Sequence, residues 1–454
     1  MNSGPGRHNK SGGEMKNHPF EHLLQQYNQE LHGNLLPFWI RNGIDRINGG
    51  YFTCFSNDGS SLLSHQKFTW SQGRFVWILA RLYRSLERSR PEKERREYLD
   101  LARSGAEFLM RHARLEDGSC AFILDEKGEP VLPGPDGGTR KAGPGESYDL
   151  SIYADTFVIY GLGEFARASG ERDAMDYALD LYWHVKRRFD SGVFRSEPYP
   201  VPAGYKVHGH PMIMMETSQE LADCAESFGL SAEVASLRKN AADYCADIMN
   251  NFRRPDEGVI LEMLGEDNNP RPDLLGRYIC PCHIIEDMWF VMHQALRTDN
   301  SVLLCEAAET LRWALEKGWD SQYGGIPQFL DKSGRPPEGE TPAGLEEHEM
   351  VKKLRGGWSN KLWWVHSEAL YALLLAYEQL GEPWMEEWYT RVHDYTFATF
   401  PNPDRLVGEW IQIRDRQGRP ENRIVALPVK DPFHIVRAFV LAIPVQERLA
   451  AKGW

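Results

Sequence analysis

The sequence predicts an all-α protein, an (α/α)6 barrel in which six helical hairpins close into a toroid with short β-hairpins in the rim loops. Three observations point there. Apolar residues recur at helical spacing from end to end, the helices so marked fall into close pairs, and long Gly/Pro/aromatic segments alternate with very short turns.

The first stripe runs from Phe20 to Asn42, with Leu23, Leu24, Tyr27, Leu31, Leu35 and Phe38 on one face. The same spacing marks 72–88, 91–114, 149–169, 172–189, 217–228 and 231–252, and then 281–297, 301–317, 361–380, 383–397 and 432–449. That makes roughly twelve helices. The pair 72–88 and 91–114 is joined by only Ser89-Arg90, whereas 118–145, 191–211, 323–357 and 407–431 are long connections. In a closed ring the inner helices are buried on most sides and read as nearly all apolar, as 361–380 does, while outer helices keep a polar face. Long loops gathered at one end would form a deep pocket floored by inner-helix residues. An open solenoid is the competing architecture, but no 34- or 40-residue repeat is visible. Tyr51–Cys54, Ala121–Leu124 and Glu409–Arg414 read as hairpin strands beside turn residues such as Asn57-Asp58-Gly59. Residues 1–18 are polar and Gly-rich and read as a disordered lead-in to one catalytic domain over 19–454.

Composition narrows the class. The chain has 454 residues, 52 Lys+Arg against 65 Asp+Glu and a net charge of −13, with no basic block. That argues against a nucleic-acid backbone or an anionic membrane as partner. Fourteen Trp, 18 Tyr and 20 Phe supply ample core and exclude disorder over most of the chain. The seven cysteines are odd in number and scattered, which reads as free thiols in a reducing compartment. Cys280-Pro281-Cys282-His283 has no second Cys/His pair at zinc spacing, so no metal is expected there. Lacking an apolar h-region or a membrane-length run, the chain reads as soluble and cytoplasmic.

Four clusters could carry chemistry. In Tyr278 to Trp289, Pro281 suits a helix start, which puts His283 near the N-terminus with Glu286 three residues on. The dipole there disfavours imidazolium and would help keep His283 a neutral base, oriented by the nearby acid. Against that stands a plain capping histidine with a solvated acid. Lys361 to Leu370 crowds Trp363, Trp364, His366 and Glu368 into six positions of an apolar helix. A buried Glu368 must be paired or face a polar substrate. Lys430 to Arg437 repeats the first pattern, with Pro432 and then His434. Two histidines early on two late inner helices could flank one pocket from opposite sides. Lys67 to Trp77 sets Arg74 among aromatics, suited either to gripping an enolate oxygen or to pairing with a core acid. Phosphate loops, dinucleotide fingerprints, His-Glu-x-x-His and Gly-x-Ser-x-Gly are all missing from the sequence.

Taken together, these clusters resemble the N-acylglucosamine 2-epimerase family, which includes cellobiose 2-epimerases and aldose–ketose isomerases. The resemblance spans about Phe20 to Leu449. It rests on Gly49-Gly-Tyr-Phe-Thr-Cys54, Trp70-Ser-Gln-Gly-Arg74, Cys282-His-Ile-Ile-Glu-Asp-Met-Trp-Phe290, Lys361-Leu-Trp-Trp-Val-His-Ser-Glu368 and Pro432-Phe-His-Ile-Val-Arg437. It implies the same barrel, His283 and His434 as general acid/bases, Arg74 as oxyanion binder, and Glu286 and Glu368 as pocket acids. Trp70, Trp363, Trp289 and Asp155 complete the candidate sugar-binding set. The implied reaction is cofactor-independent C2 epimerisation of a free sugar through an enediolate, N-acetyl-D-glucosamine/N-acetyl-D-mannosamine first. Pro211-Met-Ile-Met-Met-Glu216 lacks the histidine of disaccharide-acting epimerases and resembles the monosaccharide branch. Segments 331–360 and 427–431 depart from the N-acylglucosamine pattern, which keeps mannose/glucose epimerisation and mannose–fructose isomerisation as alternatives. A glycoside hydrolase would need two opposed carboxylates where histidines stand. A non-catalytic carbohydrate-binding protein is the other class, and a homodimer is left open.

Overall fold

A computed structural model describes residues 19–87, 89–425 and 427–452 of the chain. The expected lead-in over 1–18 and the expected helix end at Arg88 lie outside the described residues. The helices are α1 (Pro19–Gln29), α2 (Leu36–Asn42), α3 (Thr69–Ser85), α4 (Glu92–His112) and α5 (Ile152–Ser169). Next come α6 (Arg172–Ser191), α7 (Gly209–Ser227), α8 (Ser231–Asp247), α9 (Leu274–Arg277) and α10 (Pro281–Arg297). The last are α11 (Ser301–Gly318), α12 (Glu349–Gly356), α13 (Trp363–Leu380), α14 (Pro383–Thr399) and α15 (Phe433–Ala451). A π-helical turn, Glu30–Leu35, joins α1 to α2, so the first predicted helix is one run with a widened turn inside it.

Six helices form the inner ring. In spatial order α3, α5, α7, α10, α13 and α15 pack side by side, and α15 returns to α3 to close the circle. Five outer helices follow their inner partners directly: α4, α6, α8, α11 and α14. The sixth pair joins the two ends of the chain, α1 against α15. The predicted toroid is therefore present, with one of its six pairs made from sequence-distant helices. Burial follows the expected pattern. Every residue of α13 from Val365 to Ala376 is buried, whereas α4 buries only a minority face.

Two close approaches fix the ring. A Cβ built on Gly73 of α3 would lie 2.1 Å from the Phe157 carbonyl oxygen, and one on Gly161 of α5 2.3 Å from that of Gly73. Only glycine lets these backbones touch. The contact seats Trp70 and Arg74 of α3 against Phe157 of α5.

Short strands pin the inner helices at the rim. Lys67–Phe68, Tyr278–Ile279 and Lys361–Leu362 run directly into α3, α10 and α13. They pair antiparallel with Ile123–Leu124, Leu330–Asp331 and Ile413–Arg414 respectively. The expected strands at 121–124 and 409–414 are present but shortened, and at 51–54 the ladder begins at Cys54. α9 and α12 lie in segments read as loops. Their sequences are too short or too polar for a clear apolar period. α7 begins at Gly209 rather than at 217, because Pro211 sits in the first turn, where its missing N–H costs nothing. Among the described residues no helix is long and apolar enough to cross a membrane, and all seven cysteines are free thiols.

Gly161→Ala is expected to cost about 1–3 kcal/mol or more of stability, since the obstacle is backbone. Gly163→Ala meets only side-chain atoms of Leu221 and Cys224, at 3.3 Å and beyond. It should cost far less. Thermal midpoints of the two variants measured side by side check this.

Candidate active site

Each inner helix enters one central cavity by its first turns. Arg74 (α3), Phe157 (α5), Glu216 (α7), His283 (α10), Trp364 (α13) and His434 (α15) all line it. Six helix N-termini therefore share one rim and give it a positive potential. The cavity is about 190 Å3. Apolar side chains such as Met212, Ile213, Phe290 and Leu427 make up most of its wall.

Its polar wall is built around Arg437, which is 2% exposed. This guanidinium bonds Glu286 of α10 and, at 2.7 Å, Glu368 of α13. Glu368 also accepts from Trp289 Nε1 at 2.9 Å and faces His434 Nδ1 at 2.8 Å. With Nδ1 donating to that carboxylate, the Nε2 lone pair of His434 is left for the cavity. His434 is pushed well below the ordinary histidine value. Burial is the larger cause, and Arg74 and Arg437 add to it against the opposing Glu286 carboxylate.

His283 stands in the opposite environment. Its Nδ1 faces Glu262 Oε1 at 2.8 Å, and the Cys280 side chain also lies against the ring. Burial alone would lower it, but the acidic groups Cys280 and Glu262 outweigh burial and hold it well above the usual value. Burial keeps the Cys280 thiol itself protonated, so the charge facing His283 at neutrality is Glu262, whose carboxyl is pulled down to about 2. The Trp364 ring lies between the two histidines, its centroid 6.1 Å from that of His283 and 5.0 Å from that of His434. Arg74 Nη1 donates to Asp431 at 3.1 Å. Its guanidinium carbon lies 4.7, 4.1 and 4.8 Å from the ring centroids of Trp70, Phe157 and Phe433. Arg74 Nε, Ser71 Oγ and Trp363 Nε1 are polar atoms of cavity-lining residues with no protein partner among the described residues.

Several expectations are corrected. Glu286 does not orient His283; it pairs with Arg437 and lies 3.6 Å from His434. The helix dipole does not keep His283 neutral, because the ion pair with Glu262 is closer and stronger. The two histidines do not come from opposite walls, since α10 and α15 are separated in the ring by α13 alone. Trp70, Trp363 and Glu286 line the cavity, whereas Glu368 and Trp289 stand behind it, each fully used by its partners. Asp155 is not among the lining residues. Its carboxylate accepts from the Cys120 backbone at 2.6 Å and from Arg188 at 3.0 Å. His366 is structural, donating to the Leu362 carbonyl and accepting from the Ile326 amide.

Sequence reasoning missed Glu262 and His208, and also the acidic end of α7. Glu216 lines the cavity floor, hydrogen-bonded to Tyr160, and burial pushes it up to about 8. Among the described residues two groups have the donor types for a cation: His208, Glu262 and His283, and Glu286, Glu368 and His434. In both the donors are hydrogen-bonded within the protein, and the second already holds the Arg437 cation.

Residues 50–438 match the family N-acylglucosamine 2-epimerase (GlcNAc 2-epimerase). The chain belongs to this family. It is 30% identical over 427 residues to the mouse (Mus musculus) N-acylglucosamine 2-epimerase, covering 91% of this chain and 89% of that protein. Among solved structures it superposes on a cellobiose 2-epimerase from Bacillus thermoamylovorans at a TM-score of 0.70 and 19% identity, covering 93% and 99% of the two chains. A D-mannose isomerase matches at a TM-score of 0.69 and 16% identity, covering 95% and 100%. These two likenesses establish the barrel.

The placement of Asp155 can be tested directly. Asp155→Asn should lower the thermal midpoint by leaving Arg188 short of a partner, while KM for any turned-over sugar stays at the parent value. A raised KM with unchanged stability would return Asp155 to the binding site.

Proposed function

We propose that this member of the N-acylglucosamine 2-epimerase family epimerises C2 of a free monosaccharide, N-acetyl-D-glucosamine/N-acetyl-D-mannosamine first, by proton transfer between the sugar and two histidines. One observation carries the reading: two histidines open into one cavity with their surroundings pushing them to opposite protonation states. Titratable pairs split in this way mark an acid and a base.

The chemistry follows from the open-chain sugar, whose aldehyde makes C2–H acidic. Neutral His434 takes that proton on Nε2, and the electron pair moves onto the carbonyl oxygen. The product is an enolate, or an enediolate where C2 carries a hydroxyl. Arg74, always charged and held between aromatic faces, stabilises this oxyanion in the proposed step. Although α13 alone separates their helices, in this reading the two histidines take opposite faces of C2: His283, as the imidazolium, returns a proton from Nε2 and configuration inverts. The reverse direction uses the opposite protonation states. The low-polarity wall strengthens each of these interactions by excluding water. The mouse relative, named an N-acylglucosamine 2-epimerase, supports an N-acylated sugar as substrate. For a sugar with a hydroxyl on C2, loss of that hydroxyl's proton with proton return to C1 would give a ketose instead, and product identity separates the two outcomes.

In deuterated water with a panel of free aldoses, NMR should show the C2 epimer carrying solvent deuterium at C2, while substrate recovered early carries much less. A ketose as the main early product would reassign the reaction to isomerisation. His434→Ala and His283→Ala should each lose about 10²–10⁴-fold in turnover while staying folded. A variant of either that keeps more than roughly a tenth of activity would remove it from the proton path.

The pH dependence has a definite sign. His434 must be neutral, and its value lies below the ordinary 6.5, so activity falls only on the acid side of that value. His283 must be protonated, and its value lies above 6.5, so activity falls only on the alkaline side. The expected kcat/KM profile is a broad plateau through neutrality. A limb centred at the ordinary histidine value would contradict the assignment.

A further inference from the structure

Behind His283 stands a file of three buried side chains from three separate segments. Glu262 Oε1 accepts from His283 Nδ1, while Oε2 lies 3.4 Å from His208 Nδ1. His208 Nε2 in turn meets Asp287 Oδ2 at 2.8 Å. All three residues are buried. The backbone holds the file in register. Met263–Gly265 pairs antiparallel with Tyr205–Val207, and the His208 amide donates to the Glu262 carbonyl at 2.9 Å. Asp287 follows Glu286 on α10, so the two acids serve different histidines from adjacent positions.

We infer that Glu262 is a positioning residue that fixes the tautomer and charge of His283, and that His208, backed by Asp287, clamps Glu262 in place. This rests on the reading of His283 as an acid/base. A lone buried carboxylate tends to take up a proton and lose its charge. Here the His208 imidazole lies between two acids, which outweigh its burial and push it up to about 10. The charged clamp keeps Glu262 ionised, and Glu262 keeps a proton on His283 Nδ1. Proton exchange is then confined to Nε2, on the cavity side. The groups facing His283 are Glu262, Cys280, the His208 ring and, beyond it, Asp287, with the Tyr153 hydroxyl near Gly209 on the same wall. Of these, Glu262 carries the negative charge in direct contact. Glu262 also lines the cavity, but its two oxygens face His283 and His208, so it acts on the sugar through His283, as the orienting acid of a catalytic triad does through its histidine.

Glu262→Gln keeps the shape and removes the charge. The imidazole titration of His283, followed by 15N NMR, should move to lower pH, and the alkaline limb of kcat should move with it. At neutral pH kcat should fall about 10- to 100-fold while KM changes little. Glu262→Asp should recover part of the titration shift, and Asp287→Asn should move it in the same direction as Glu262→Gln by a smaller amount. Cys280→Ala should move it by less than Glu262→Gln does. An unmoved His283 titration in Glu262→Gln overturns the inference, as does a larger shift produced by Cys280→Ala. If His283→Ala keeps its activity while Glu262→Gln still moves the titration, the acid/base reading fails and the clamp stands.

Discussion

Arg437 is the buried charge on which the polar half of the barrel depends. It projects from α15 and bonds an acid on α10 and another on α13, so three inner helices meet at one guanidinium. Removing such groups from water costs several kcal/mol each, and the loss is offset only when every lone pair finds a donor. Glu368 meets that condition with Arg437, Trp289 and His434. The cluster is therefore weak evidence for stability but strong evidence for position. It sets the rotamer of His434 and aims Nε2 at the cavity, while burial, aided by Arg74 and Arg437, keeps the ring neutral.

The barrel supplies the other constraint. Inner helices that all present their first turns to one cavity bring six positive dipole ends together. In such a place an oxyanion is favoured and an imidazolium is penalised. His434 accepts the penalty and is neutral. His283 escapes it because the Glu262 carboxylate, just before the strand Met263–Gly265, reaches its Nδ1. The difference between two histidines on equivalent helix starts thus comes from outside the ring, from the short ladder of Met263–Gly265 with Tyr205–Val207.

What was legible in the sequence was local. Pro281 and Pro432 at helix starts, the near-continuous apolar run of α13 and the short turns between paired helices all act within a few residues of themselves. The barrel and the helix-start positions of His283 and His434 followed from them, while Arg74 and Trp363 stood out by the aromatic and charged residues beside them. Glu262, His208 and Asp287 were not legible as a unit, because 54 positions separate the first two and 79 the last two. Glu262 sits in the apolar run Val259 to Leu264, where a single acid carries no period. Arg437 was visible within a matching motif, but its role needed two partners on other helices. Asp155 failed for the converse reason. An acid early on an inner helix looks like a pocket residue, yet its side chain turns outward to Arg188.

On the proposed chemistry, the asymmetry between the histidines has a consequence for the catalytic cycle. One turnover exchanges their states, leaving His434 cationic among Arg74 and Arg437 and His283 neutral beside the Glu262 carboxylate. Both changes run against the local fields, so the exchanged form lies uphill of the resting one. It relaxes either by taking the opposite epimer through the reverse reaction or by trading protons with water. Water has unequal access, since the His283 side chain is 32% exposed and that of His434 is 8% exposed. Reprotonation of His283 from solvent is then the easier half of the reset. Its return restores the cation opposite Glu262 and makes loss of the His434 proton the slower step. A site built this way is poised toward one protonation state at rest, while the reaction needs both, and the open side of the cavity at His283 reconciles the two.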